Sequence, residues 1–378
     1  MARRRVFEFQ NLTNKDELNM SHKDHFLTLD GFRGIAAILV VLRHTIPYFG
    51  QNPFFSSYLA VDLFFLLSGA VVARSYEHRL RHEMSLRKFM WIRLLRLYPL
   101  YFLGIGIGIF AAAAKLTDFH GNLPVAAAVG LLMLPGLHSY LLFPLNGPAW
   151  SLSSEIIANF VYGWRVRWLS DRVLSLVMLI CLTGMVLYVA LSAQHSLDAG
   201  FHRRTYYVSL LRVGFSFSAG ILLYRWFLTK GKRAVVSNGK AALTVLAVAL
   251  LLMMSPPASL MPFYDVLAVS IGFPLLVYAG MRYQPSGRLA SACQFLGVIS
   301  YPIYIVHSPL AELLRHAFPS LTGGHEVVQF TPWGGLVFLA TLIGLAWLLH
   351  HFYDTPVRKL LGDWMSRKRA AMATAQAK

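Results

Sequence analysis

Eleven stretches of this chain are apolar for about the length a helix needs to cross a bilayer. They lie near 29–49, 57–76, 97–114, 123–143, 149–164, 173–193, 206–228, 241–254, 263–281, 291–314 and 333–352. A spanning helix takes about 20 mostly apolar residues, and in lipid every backbone N–H and C=O must be satisfied within the segment. The expected fold is therefore all-α, a polytopic transmembrane helical bundle. Composition excludes the alternatives: 56% of the 378 residues are hydrophobic and only 14% charged. A soluble domain carries about a quarter charged residues.

Charge decides between eleven spans and ten. Segment 123–143 is interrupted by Pro124, Pro135, Gly136 and His138, and Pro144, Gly147 and Pro148 follow it. Broken backbone is tolerated at membrane depth where protein or water covers it, so this segment reads as re-entrant. Ten spans then put both termini in the cytoplasm. Of the 35 Lys and Arg, 26 fall in the cytoplasmic regions, three (Lys115, Arg203, Arg204) in outer loops, and six (Arg33, Arg43, Arg74, Arg212, Arg225, Arg315) within spans. That is the bias expected of cytoplasmic loops. An eleven-span chain would place the later basic groups on the wrong side. The net charge of +18 is thus a topology signal, and nucleic acid is not an expected partner.

Residues 1–26 form a polar, basic cytoplasmic tail. The run Arg3-Arg4-Arg5 is not followed directly by an apolar stretch, so it is not expected to be a signal peptide. Residues 27–356 make up the membrane domain and 357–378 a basic cytoplasmic tail. The longest outer loop is expected over 315–332. Cys181 and Cys293 lie far apart in apolar runs, where they read as buried small hydrophobes, not as a disulfide or a metal site.

Ionisable groups inside spans are costly and are functional candidates by default. Arg33 and His44, eleven residues apart in the first span, share a helix face at about 16 Å separation. Ala37 and Val40 lie between them and should leave a groove. Asp62 opens the second span. Ser68-Gly69 in the same span is a small-residue notch of the kind that brings helices close. Arg93 and Arg96, at i and i+3, share a face and suit phosphate through their forked donors. The run Trp150-Ser151-Leu152-Ser153-Ser154-Glu155 opens another helix, with Glu155 too far in for simple capping. Ser300, Tyr304 and His307 recur at helical spacing, and Asp354 ends the last span at a depth where Arg33 would be its partner. His44, Asp62, Glu155 and His307 then form an outer layer of acid–base groups. Arg33, Arg74, Arg93 and Arg96 form an inner layer of fixed positive charge. An anionic ligand arriving from the cytoplasm, with proton transfer nearer the outer face, fits both layers.

Taken in order, these stretches resemble acyltransferase family 3, integral-membrane enzymes that move acyl groups onto sugars of surface polysaccharides and related acceptors. The carriers are Arg33 with His44, Phe64-Phe65-Leu66-Leu67-Ser68-Gly69, Arg93-Leu94-Leu95-Arg96, Trp150 to Glu155, Ser300 to His307, and Asp354-Thr355-Pro356. Two departures stand out. Ala70 takes a position that is usually Phe, and the chain is expected to be a stand-alone version, whereas some relatives carry a soluble esterase-like domain after the last span.

The resemblance implies ten spans and an acyl-CoA co-substrate, most often acetyl-CoA, with no permanently bound cofactor or metal. It implies catalysis by His44, Glu155 and Asp62, donor binding by Arg33, Arg93 and Arg96, and a pocket with Ser68, Trp150, Ser153, Tyr304 and His307. His44 is expected to be the general base on an acceptor hydroxyl, with an acyl-histidine intermediate as the other route. Glu155 is expected to orient His44 or to bind the acceptor sugar. The implied partners are the lipid bilayer of the inner cell membrane, acyl-CoA, and a carbohydrate or glycolipid acceptor. The competing class is a secondary transporter or flippase, in which intramembrane His, Asp and Glu serve as proton relays.

Overall fold

A computed structural model describes residues 26–51, 54–136, 139–231, 235–254 and 256–376. The basic N-terminal tail before residue 26, His138, Lys232, Arg233 and Lys378 lie outside the described residues.

The chain is helical throughout. The main helices are α1 (Leu27–His44), α2 (Ala60–His82), α3 (Leu86–Ala113), α4 (Leu123–Leu131), α5 (Ala149–Arg165), α6 (Asp171–Leu191), α7 (Tyr206–Trp226) and α8 (Gly239–Leu251). Next comes α9, built from Met261–Leu267, a π-helical turn Ala268–Gly272, and Phe273–Arg282. Then follow α10 (Gly287–Leu321), α11 (Trp333–Leu349) and, after a second π-helical turn His350–Asp354, α12 (Thr355–Gln376). The strand pairing described is one two-residue parallel ladder, Val236–Ser237 against Tyr283–Gln284.

Among the described residues, seven helices are long and apolar enough to cross a membrane. Three others coincide with expected spans but fall short of that measure. The helix α1 carries Asp30, Arg33 and Arg43, α5 has 17 residues, and α8 has 13. The expected re-entrant segment contains only the nine-residue α4, followed by turns. Nine residues rise about 14 Å, short of the ~30 Å of hydrocarbon.

Two boundaries differ from expectation. The stretch carrying Arg93 and Arg96 is the first part of α3, started by Ser85, whose hydroxyl accepts from the Lys88 N–H. The long loop expected over 315–332 is mostly helix, because α10 continues to Leu321 and a 3₁₀ turn covers Val327–Phe330.

Packing follows from small residues at crossings. A Cβ on Gly69 would lie 2.1 Å from the Phe217 carbonyl oxygen, and one on Gly220 would lie 2.0 Å from that of Leu66. Only glycine lets α2 and α7 approach this closely, so the Ser68-Gly69 notch is indeed a close helix contact. The long α10 packs along α1 and α3, and its His307 meets the end of α1. On α6, by contrast, Leu176, Leu179, Ile180 and Leu187 face outward, as expected of a lipid-facing helix. Cys181 and Cys293 are free and buried.

Candidate active site

Three adjoining cavities run through the bundle. The first, about 520 Å³, is lined by Arg33, Arg74, Arg79 and Arg96, with Asp30. The second, about 90 Å³, shares Arg33, Leu67, Val71 and Arg96 with the first and adds Arg93, Ser68, Glu155, Ser300 and Tyr304. The third, about 400 Å³, shares Val61 and Tyr304 with the second and contains His44. A wide basic chamber therefore adjoins a narrow passage, which in turn adjoins a chamber holding a histidine.

The passage does not follow the groove expected along α1. Ala37 is fully buried and lines none of these cavities, whereas Val40 lines only the histidine chamber. The route instead runs between α2, α3, α5 and α10, past Ser68, Arg93, Glu155 and Tyr304.

In the basic chamber, Arg33 lies 3.8 Å from Asp30, not beside Asp354. Arg358 holds Asp354 at 2.6 Å, one helical turn further on. Arg74 sits over the Phe26 ring at 5.0 Å. Arg79, not singled out among the candidate residues in the sequence, also lines this chamber.

Arg93 and Arg96, expected to act alike, are separated by the fold. Arg96 opens onto both the basic chamber and the passage. Arg93 is 2% exposed, and its Nη2 donates to Glu155 Oε1 at 2.5 Å and to Ser68 Oγ at 3.1 Å. The Ser68 hydroxyl in turn donates to the same carboxylate oxygen at 2.6 Å. Arg93 Nε and Nη1 have no hydrogen-bond partner among the described residues. Glu155 thus neutralises Arg93 and does not orient His44.

The partner of His44 is His307, with Nδ1 and Nε2 3.0 Å apart and the rings stacked. The pairing fixes the tautomers. His307 Nδ1 lies 3.1 Å from the Ile303 carbonyl oxygen, which can only accept, so that nitrogen carries the proton. His307 Nε2 of the neutral ring then accepts, and His44 Nδ1 must donate. His44 Nε2 is left with its lone pair. His307 is fully buried, while His44 is exposed to the chamber.

Tyr304 forms part of the wall between passage and histidine chamber. Its hydroxyl lies 2.6 Å from Ser151 Oγ, and its ring meets Phe64 edge-on at 5.3 Å. Trp150 lines the chamber. Ser153 is buried but lines none of the three cavities; Ser151 lines the passage instead, two residues before the expected position.

Asp62 is placed away from this chemistry. Both its oxygens accept from Arg212, at 2.6 Å for the shortest contact, and both side chains are essentially unexposed. Arg212 also donates to the carbonyls of Ala199 and Tyr58, so every donor nitrogen is occupied. Such a pair positions helices; it has no proton to exchange with a ligand.

One further cluster brings metal-ligating atoms together: those of Asp118, Glu312 and His316 lie within 4.8 Å of one another. Arg315 already holds Asp118 at 2.5 Å and Glu312 at 2.8 Å. Its hydrogen bond keeps the loop carboxyl of Asp118 below the ordinary carboxylate range. The cluster is complete as an ion-pair network.

Comparison with known proteins bears on the family of the chain. A family model described as an acyltransferase domain matches residues 26–351. Over 195 residues the chain is 36% identical to "Protein 2 in picA locus" of Rhizobium radiobacter, an alignment covering 46% of this chain and 98% of that protein. No solved structure matches.

Proposed function

This chain belongs to acyltransferase family 3, and on that premise we propose that it moves a short acyl group, acetyl, from cytoplasmic acyl-CoA to a hydroxyl of a carbohydrate or glycolipid. The acceptor is met near the outer face of the inner cell membrane. The chain crosses that membrane ten times with both termini in the cytoplasm, a reading supported by the distribution of Lys and Arg. One observation carries the functional reading: a narrow passage adjoins a basic chamber on one side and, on the other, a chamber with His44, whose Nδ1 is paired with His307 Nε2.

Each part has a chemical task. Arg33, Arg74, Arg79 and Arg96 suit the phosphates of CoA, since charge-assisted bonds from guanidinium to phosphate are short and forked. The acyl-pantetheine arm, being slender, takes the passage. The two unpartnered nitrogens of Arg93 are donors for its carbonyl oxygens. Arg93 itself, neutralised by Glu155, is not a phosphate ligand. His44 Nε2 removes the proton of the acceptor hydroxyl, and the oxygen attacks the thioester carbonyl. A C–O ester bond forms, the C–S bond breaks, and the proton held by His44 passes to the departing CoA thiolate. His307 holds His44 in the tautomer this requires. Asp62 supports the fold only.

The test is His44→Ala, with radiolabel transfer from acetyl-CoA measured in isolated membranes. A positioned general base is worth about 10²–10⁴ in rate, so transfer should fall by that factor at near wild-type protein level. His307→Ala should lose less, because Nε2 of His44 stays in place. Retention of more than about a tenth of the rate by His44→Ala contradicts the mechanism. Label held covalently by the protein would instead mark the acyl-histidine route. Thiols introduced at 256–260 and 322–326 should react from outside, and thiols at 235–238 should not; the reverse pattern inverts the topology.

A further inference from the structure

The histidine chamber differs from the basic chamber in its charge balance, and that difference bears on what it holds. Two arginines line it, Arg43 and Arg212, and each is matched by an aspartate. Arg212 is saturated by Asp62 and two carbonyls. Arg43 Nη2 donates to Asp198 Oδ2, and its Nη1 donates to the Phe55 carbonyl at 2.8 Å. The guanidinium is clamped between the rings of Phe55 and Tyr58, at 5.0 Å from each.

Asp198 also lines the chamber. Its backbone N–H is tied to Ser196 Oγ, while its Oδ1 accepts no hydrogen bond among the described residues. Asp198 and His44 therefore line the same chamber, with the Asp198 carboxylate held by Arg43 through one of its two oxygens. The remaining walls are aromatic, with Phe143, Phe201 and Trp150. Leu141, Phe143 and Gly147 are shared with a further cleft of about 630 Å³.

We propose that this chamber selects an uncharged sugar ring as acceptor, with Asp198, positioned by Arg43, as the specificity-determining residue. This rests on the acyl-transfer reading above. The carboxylate accepts from a ring hydroxyl next to the one offered to His44, and aromatic walls take the C–H faces. A uronate or phosphate would find no unpaired cation here and would meet Asp198 directly. The adjoining cleft leaves room for the aglycone or the next sugar units.

The test uses purified full-length protein in nanodiscs, labelled acetyl-CoA, and two acceptor probes below micelle-forming concentration: octyl β-glucoside and octyl β-glucuronide. Wild type should acetylate the glucoside and discriminate against the glucuronide. Asp198→Asn keeps the shape but frees the charge of Arg43. It should raise the KM for the glucoside by about 10–100-fold, the worth of a charged hydrogen bond, and shift preference towards the glucuronide. The KM for acetyl-CoA should not move, and an unchanged melting curve separates this from misfolding. A glucoside KM within about two-fold of wild type, or a wild-type preference for the glucuronide, overturns the proposal. Wild type that acetylates neither sugar yet releases acetate from acetyl-CoA also overturns it, leaving acyl transfer standing. Protein that does neither defeats the acyl-transfer reading itself.

Discussion

Two of the arginine–carboxylate pairs in this bundle differ in one instructive respect. Arg212 with Asp62 is closed: each donor nitrogen has a partner and neither side chain is exposed. Arg93 with Glu155 is open: Arg93 Nε and Nη1 have no partner, and Glu155 keeps 17% of its side chain accessible along the passage. Burying an unpaired donor costs about 1–3 kcal/mol, a cost that a fold does not carry without return. A saturated pair positions helices, whereas an unsaturated one lining a cavity is poised for a ligand. The difference lies in hydrogen-bond completeness, not in residue type.

The largest effect should separate the pairs by stability. Asp62→Ala leaves Arg212 charged and unpaired in the bilayer interior, a change that costs about 3–5 kcal/mol. The protein should be largely lost from membranes, and thermal unfolding in detergent should shift accordingly. The double variant Asp62→Leu with Arg212→Met should recover abundance, because apolar replacements of buried ion pairs are often neutral. Normal abundance of Asp62→Ala would erase the distinction drawn here.

Arg93→Gln should behave in the opposite way. The Arg93 donors proposed to meet the acyl-CoA arm are worth about 1.5–3 kcal/mol in transfer, or roughly 10–150-fold in kcat/KM. Glu155 is accessible enough to be hydrated, so abundance should stay near wild type. Arg96→Gln should act mainly on the KM for acyl-CoA and more weakly at high salt, since its contact is with a solvated phosphate. Equal salt dependence for the two variants would mean that both arginines meet phosphate.

Much of this architecture is legible in sequence because lipid imposes one simple demand, a run of apolar residues for each helix. Arg33, Arg96 and His44 are legible for the related reason that charge in such a run is expensive. Asp62 and Glu155 are not distinguishable that way: both are carboxylates in the first two turns of apolar helices. What separates them is Arg212, 150 residues from Asp62, against Arg93, 62 residues from Glu155. The pairing of His44 with His307 spans 263 residues and depends on α10 lying along α1, which helical periodicity does not specify. Asp198 lies in a loop, where a carboxylate carries no signal at all.

The finest test lies at Ser68, where the open pair meets the small-residue notch. Its hydroxyl accepts from Arg93 and donates to Glu155, so it completes the orientation of Arg93 without itself carrying charge. Ser68→Ala removes a neutral hydroxyl and no packing volume of consequence, and Gly69 remains to hold the contact with α7. One such hydrogen bond is worth about 0.5–1.5 kcal/mol, so transfer should fall by roughly 2- to 13-fold with unchanged protein level. Ser68→Thr separates the two roles of the site, because it keeps the hydroxyl and adds a methyl group in the passage of about 90 Å³. If positioning Arg93 is what matters, Thr should restore the rate for acetyl-CoA and discriminate more strongly against longer acyl donors. If Ala and Thr are equally impaired with every donor, Ser68 serves the helix contact alone, and the open pair needs no third member.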